Sequence, residues 1–168
     1  MQRERISSCY LDTSLITAAM IESVENHVAA RDFCARLVAD NATVWISELV
    51  RLEYLHFLRL ICPKLAPEII RQYGLNNWHR IGVRRNWIAL NMADFDAFMS
   101  QFAVAHELAL TRGIVDEGQR LMIDLNLPSN DAAHVATALA VATRDIAAID
   151  AHFSRAQGSL TVHIVRDA

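Results

Sequence analysis

Four acidic side chains stand where they could do chemistry: Asp12, Glu53, Asp131 and Asp150. Asp12 follows the apolar run CYL, and Asp150 follows IAAI. Both runs read as short strands, and open parallel sheets form their sites at the carboxyl ends of strands. Each Asp is equally well placed to cap the helical segment after it, since Asp is a preferred N-cap. Glu53 is harder to treat as a bystander. Its neighbours one helical turn away are Leu49, Val50, His56 and Phe57, a mostly apolar stripe on which an unpaired carboxylate is costly. It requires an arginine or a metal ion. Asp131 has the same two readings as Asp12, with Ser129 and Asn130 as rival caps. If Ser129 caps, Asp131 falls in the first turn and can face the sheet edge. His134, one turn on, reads first as a packed or hydrogen-bonded histidine rather than a ligand. Glu48 suits the macrodipole in the first turn of Glu53's helix and lies about 140° round it from Glu53. It is expected to be a capping charge.

The elements that must position these residues follow from local pattern. Ser7–Leu11 reads as a strand, and Thr13 or Ser14 can cap a helix from Leu15 to about Glu25, with Leu15, Ile16, Ala19 and Met20 on one stripe. A second helix is expected from about Val28 to Ala39. The β-branched and aromatic run Thr43–Ile46 predicts a buried strand. Ser47 then caps a helix from Glu48 to about Ile61, stopped by Pro63. Pro67 opens another helix to about Tyr73, and Gly74–Asn91 carries no clear pattern. Further on, the pattern predicts a helix from Asp94 or Asp96 to about Leu110 and a short helix or irregular link over Val115–Leu125. An Ala-rich central helix follows, from Ala132 to about Thr143. Ile146–Ile149 and Leu160–Val165 read as strands, with a single turn at Ala151–Arg155 between them. Short apolar strands alternating with helices predict an α/β fold whose parallel sheet is covered on both faces, as a single domain over residues 1–168.

Composition excludes several classes. The chain has 168 residues and is 53% hydrophobic, with 5 Gly and 3 Pro, so it is neither disordered nor collagenous. No apolar run approaches the roughly 20 residues that span a bilayer, and the basic start is followed by no apolar leader region. Cys9, Cys34 and Cys62 are odd in number and widely separated, which disfavours a disulfide framework or a paired-cysteine zinc site. A cytoplasmic protein is expected. The net charge is −3, but residues 51–90 carry 7 basic and 2 acidic side chains, and residues 91–150 carry 3 and 9. Lys64 is the only lysine, and the glycines form no GxGxxG, so the common phosphate-binding loops are absent.

Four segments, CYLDTSLI, SELVRLEYL, NDAAHVATALA and AIDAHF, together resemble the signature segments of the PIN domain in their usual order. More narrowly, they resemble the VapC-type toxin ribonucleases of bacteria and archaea. The resemblance covers nearly the whole chain, with 41, 78 and 19 residues between successive acids. The family's acids match Asp12, Glu53, Asp131 and Asp150, with Phe153 just after the last. Ala148 stands where the family often has Thr or Ser, and Pro63–Met92 looks longer than in its smallest members.

The resemblance implies a PIN-like three-layer sandwich, with a short central parallel sheet flanked by helices. It implies a metal-dependent endoribonuclease, the toxin of a toxin–antitoxin pair. Asp12, Asp131 and Asp150 would be metal ligands, and Glu53 a ligand or water-orienting base. Hard carboxylate oxygens suit Mg²⁺ or Mn²⁺. Two charges about 4 Å apart repel by roughly 4 kcal/mol at an effective dielectric of 20, so the cluster needs a cation, raised pKa values or nearby arginines. The implied partners are RNA, a second copy of the chain, and a small antitoxin whose Arg or Lys enters the acidic groove. An antitoxin helix could dock around Ile16, Met20 and Val24; otherwise that stripe is core or dimer interface. Arg80, Arg84 and Arg85, interleaved with Trp78 and Trp87, are candidate RNA contacts together with Thr13. The rival reading is a solvated connector whose tryptophans fill the core edge. Arg51 and Arg59 line the groove or solvate the outer face of their helix. Two other functions compete: a non-catalytic PIN-fold module that binds RNA or protein, and a phosphoryl-transfer or receiver-like protein using Asp12. The latter usually needs a lysine near the site, and only Lys64 exists.

Overall fold

The computed structural model describes residues 4–61 and 81–167. Its five strands are β1 (Ser8–Leu11), β2 (Thr43–Ser47), β3 (Val104–Leu108), β4 (Asp145–Ala148) and β5 (Thr161–Ile164). All pair in parallel, in the order β3-β2-β1-β4-β5. The described helices are α1 (Thr13–Met20), α2 (His27–Ala39), α3 (Glu48–Ile61), α4 (Ile81–Met99), α5 (Arg112–Leu125) and α6 (Ser129–Ala140), and a short 3-10 segment covers Ala151–Ala156. The chain runs outward from β1 through β2 to β3, then returns to add β4 and β5 on the other side. The carboxyl end of β1 is therefore the point where the direction of winding reverses, the usual place for a site in such sheets.

Strand alternation explains the three layers. Cys9 and Leu11 of β1, Val44 and Ile46 of β2 and Ala147 of β4 enter one core with α1, α2, α3 and α4. Tyr10, Ile146 and Ala148 point the opposite way, into a second core with α5 and α6. Because both faces are covered, β1 and β4 are apolar at nearly every position, as a buried parallel strand must be. Cys9 and Cys34 are buried free thiols.

Several expectations are corrected. Asp12, not Thr13 or Ser14, caps α1, accepting from the Ser14 amide at 2.9 Å. That helix stops at Met20, where Ile21 becomes extended and the chain turns into α2 with Ile21 and Val24 packed on the core. Packing ends it; no breaker residue does. The helix expected over Asp94–Leu110 is instead the end of α4 followed by β3. Four of the five residues of β3 are exposed, so burial left no strand signal in VAHEL, and pairing with β2 decides it. Val115–Leu125 belongs to a regular helix that Thr111 caps. α6 begins at Ser129, just after Pro128, which puts Asp131 in its first turn. Ile16 is fully buried, so it offers nothing to a partner, while Met20 and Val24 lie partly buried on the same core. Arg51 lies on the outer face, bridging Asp96 at 2.9 Å and Glu107 at 2.7 Å. The expected helix Pro67–Tyr73, Cys62, Lys64, Trp78 and Arg80 lie outside the described residues. Among the described residues, no helix is long and apolar enough to cross a membrane.

Phe95 is the most deeply buried residue by which α4 joins the core, alongside Met99. Phe95 is fully buried, lies 5.3 Å from the Tyr54 ring, and carries the Arg51 guanidinium 4.9 Å above its face. Phe95→Ala is expected to lower unfolding free energy by about 3–5 kcal/mol in a denaturant titration. The exposed bridge contributes less: Glu107→Gln is expected to cost about 1 kcal/mol or less.

Candidate active site

Asp12, Glu53, Asp131 and Asp150 line one cleft of about 470 Å³, together with Thr13, Ser14 and Phe57. Asp12 follows β1 and is buried. Its Oδ2 accepts from the Ser14 amide at 2.9 Å and the Ser14 hydroxyl at 2.5 Å. The same hydroxyl accepts from the Ile149 amide at 3.0 Å. Ser14 thus ties the ends of β1 and β4 together, where Ala148 offers no hydroxyl. Asp150 caps the 3-10 segment, accepting from the His152 amide at 2.8 Å. For Asp12 and Asp150 the two readings were never exclusive, because the cap holds the carboxylate at the cleft.

Glu53 is compensated by a histidine, not by an arginine. Its Oε2 accepts from the Thr13 hydroxyl and faces His134 Nε2 at 2.8 Å. Its Oε1 accepts from Asn130 Nδ2 at 2.5 Å. His134 is buried and also lies 3.2 Å from Asp12 Oδ1. Its Nδ1 meets the Tyr10 hydroxyl at 2.8 Å, which meets the Ser47 hydroxyl at 2.8 Å. Burial pulls the His134 pKa down, but Asp12, Glu53 and Asp131 outweigh it and the net direction is up. Burial raises the Glu53 pKa, but His134, Thr13 and Asn130 hold it below the ordinary value. Both directions favour an imidazolium facing carboxylates.

Asp131 is left without such help. Its Oδ2 is buried without a hydrogen bond, and His152 Nδ1 lies 3.5 Å from it and 3.2 Å from Asp150 Oδ1. Burial first, then the charges of Asp12 and Asp150, push the Asp131 carboxyl up to about 6. The ligand atoms of Asp12, Glu53 and His134 lie within 4.8 Å of one another, as do those of Asp131, Asp150 and His152. An orphaned carboxylate oxygen beside two further acids fits a hard divalent cation.

Thr13 is committed to Glu53. Arg84 and Arg85 sit on α4, and neither lines the cleft. Glu48 lies outside it, accepting from the Leu110 amide at 3.4 Å. Asn130, expected as a rival cap, is instead a donor to Glu53. His134 is packed and hydrogen-bonded as its position predicted, yet its partners are site carboxylates. Its spacing of one turn from Asp131 was the available signal. Tyr10 and His152 had none.

Fold and cleft together define a three-layer α/β protein with a carboxylate cluster at the winding reversal of a parallel sheet. The model of one family, the PIN domain, matches residues 9–158, and the chain belongs to that family. No curated protein sequence matches it. Solved structures share its fold, among them the following three. VapBC2 from Rickettsia felis, bound to a DNA fragment from its promoter, is 16% identical with a TM-score of 0.58, covering 93% of this chain and 97% of that one. VapC20 of Mycobacterium tuberculosis, a toxin that cleaves the sarcin–ricin loop, is 18% identical with a TM-score of 0.58, covering 95% and 99%. FitAcB from Neisseria gonorrhoeae is 15% identical with a TM-score of 0.57, covering 92% and 96%.

A carboxyl raised to about 6 in the folded chain withdraws stability as pH climbs from its ordinary value through 6. In chelator-treated protein, Asp131→Asn is therefore expected to be stabilising by about 2 kcal/mol well above pH 6. The gain should vanish below about pH 4, where the wild-type carboxyl is protonated in both states. Thermal melts across that range check it. His134→Leu should do the reverse at neutral pH, costing about 3–5 kcal/mol by stranding Asp12 and Glu53 without their counter-charge.

Proposed function

We propose that the protein is a metal-dependent endoribonuclease and the toxin of a type II toxin–antitoxin pair, acting in the cytoplasm as a homodimer. The observation that carries this reading is the convergence of Asp12, Glu53, Asp131 and Asp150 on one cleft, with Asp131 Oδ2 buried and unsatisfied. Membership of the PIN family and the shared fold with VapBC2 and VapC20 support it. Asp12, Asp131 and Asp150 would hold Mg²⁺ or Mn²⁺. When bound, such an ion supplies Lewis acidity to a phosphoryl oxygen and acidifies a coordinated water.

The chain's own residues do the rest. Glu53, fixed by His134, Thr13 and Asn130, orients a water through its remaining lone pairs. A carboxyl held below its ordinary pKa is a poor proton store, so orientation suits it better than general-base work. His134 lies within 3.2 Å of Asp12 and 2.8 Å of Glu53 and offsets the repulsion between them. Ser14 and the two caps fix the acids at the ends of β1 and β4. No described arginine or lysine lines the cleft, so its uncompensated charge also favours a basic side chain from an antitoxin, which would displace the cation. Arg84 and Arg85, with Arg80, remain candidates for backbone contact with RNA beyond the cleft.

Asp12→Asn and Asp150→Asn are each expected to lower Mn²⁺-dependent cleavage of single-stranded RNA by about a hundredfold or more, while Glu48→Gln leaves it nearly unchanged. Gel analysis of cleavage with and without chelator tests this. RNA binding without cleavage in either metal would replace the reading with that of a non-catalytic binding module.

A further inference from the structure

The cleft is lined by acids where β1 and β4 end, and by a different chemistry where α1 turns into α2. Ala18 of α1 and Val24 of the turn into α2 contribute apolar lining, with Phe57 of α3, and Glu25 and Asn26 add polar groups. Asn26 is only 8% exposed and holds a left-handed backbone, φ 66°, which Asn tolerates better than most residues. Its Oδ1 accepts from the Asp167 amide at 3.0 Å, and Asp167 Oδ1 accepts from the Ala29 amide at 2.9 Å. This clamp fixes which end of the Asn26 amide is free. Nδ2, with two N–H donors, bonds to nothing among the described residues. Beside it Glu25 is exposed and acceptor-only.

We propose that this part of the cleft reads the edge of an unpaired guanine, with Asn26 Nδ2 donating to O6 and the Glu25 carboxylate accepting from N1–H and N2–H. The inference rests on the ribonuclease reading above and names its substrate preference. A further carboxylate here would repel a phosphate, so the backbone belongs at the metal site and a base at this part. Guanine is the RNA base that sets two adjacent donors beside a carbonyl oxygen, matching two carboxylate oxygens next to an amide donor. Adenine and cytosine offer a single amino donor beside a ring nitrogen, and uracil places its one donor between two acceptors. Phe57 gives the base a ring to stack on. The 470 Å³ volume lies within the range of ligand-sized clefts.

The test uses the full-length protein with Mn²⁺ and short single-stranded pyrimidine oligonucleotides carrying one guanosine at varied positions. Cleavage is expected at a fixed distance from the guanosine. Replacing guanosine by inosine, which lacks the N2 amine, should lower kcat/KM about tenfold, and replacing it by adenosine should lower it further. Glu25→Gln, at an exposed position where folding is not at stake, should abolish the difference between guanosine and inosine substrates. Asn26→Asp keeps the acceptor for the Asp167 amide while removing the donor, and should reduce the preference for guanosine over adenosine while the discrimination against inosine persists. Efficient cleavage with equal rates on guanosine, inosine and adenosine substrates would overturn this proposal while leaving the ribonuclease reading intact. So would a difference between guanosine and inosine substrates that survives Glu25→Gln. Wild-type protein that cleaves none of the oligonucleotides and no longer RNA would sink both.

Discussion

Negative charge gathered at one edge of a buried sheet is the constraint that the rest of the structure answers. Four carboxylates line one cleft, and each pair at contact distance repels by several kcal/mol if uncompensated. Three are answered locally. Asp12 is held by its cap and the Ser14 hydroxyl, Asp150 by its cap and His152, and Glu53 by His134, Thr13 and Asn130. Asp131 is answered least: no hydrogen bond reaches its Oδ2, and burial with the charges of Asp12 and Asp150 outweighs His134 and His152, which pushes its carboxyl up. The asymmetry matters for chemistry, because an unsatisfied oxygen among fixed neighbours is where a cation lowers the free energy most.

His134 links that charge to the interior. Tyr10 points into the core beneath α5 and α6 because strand alternation turns it away from Cys9 and Leu11. Its hydroxyl then meets His134 on one side and Ser47 on the other. One residue of β1 and one of its neighbour β2 therefore set the orientation of the imidazole, and the imidazole sets Glu53. Rigidity at the site comes from the sheet, through a chain of buried hydrogen bonds. The turn between α1 and α2 is held differently, by Asp167 near the far end of the chain, so the two parts of the cleft have separate supports.

Much of the fold was legible because its central strands are buried on both faces. CYL, TVWI and IAA have no other comfortable environment, and the strands appear where those runs stand. β3 was not legible. It lies at the sheet edge with mostly exposed side chains, so VAHEL shows neither alternation nor a buried run and reads as the tail of a helix. The end of α1 was misread for a related reason, since nothing in IESVEN breaks a helix and only packing against α2 and the core ends it.

Sequence alone determined which residue types reach the site. Acids directly after apolar strands, a glutamate on an apolar helix stripe and an aspartate opening an Ala-rich helix are local features, written in neighbours a few positions apart. It also determined that Glu53 needs a partner, because desolvation of a carboxylate depends only on what surrounds it. Tertiary structure decided who that partner is. His134 lies far along the chain from Glu53, and Asn26 and Asp167 stand at nearly opposite ends. A hydrogen bond has a reach of about 3 Å, and no local pattern specifies which distant groups a folded chain brings within it.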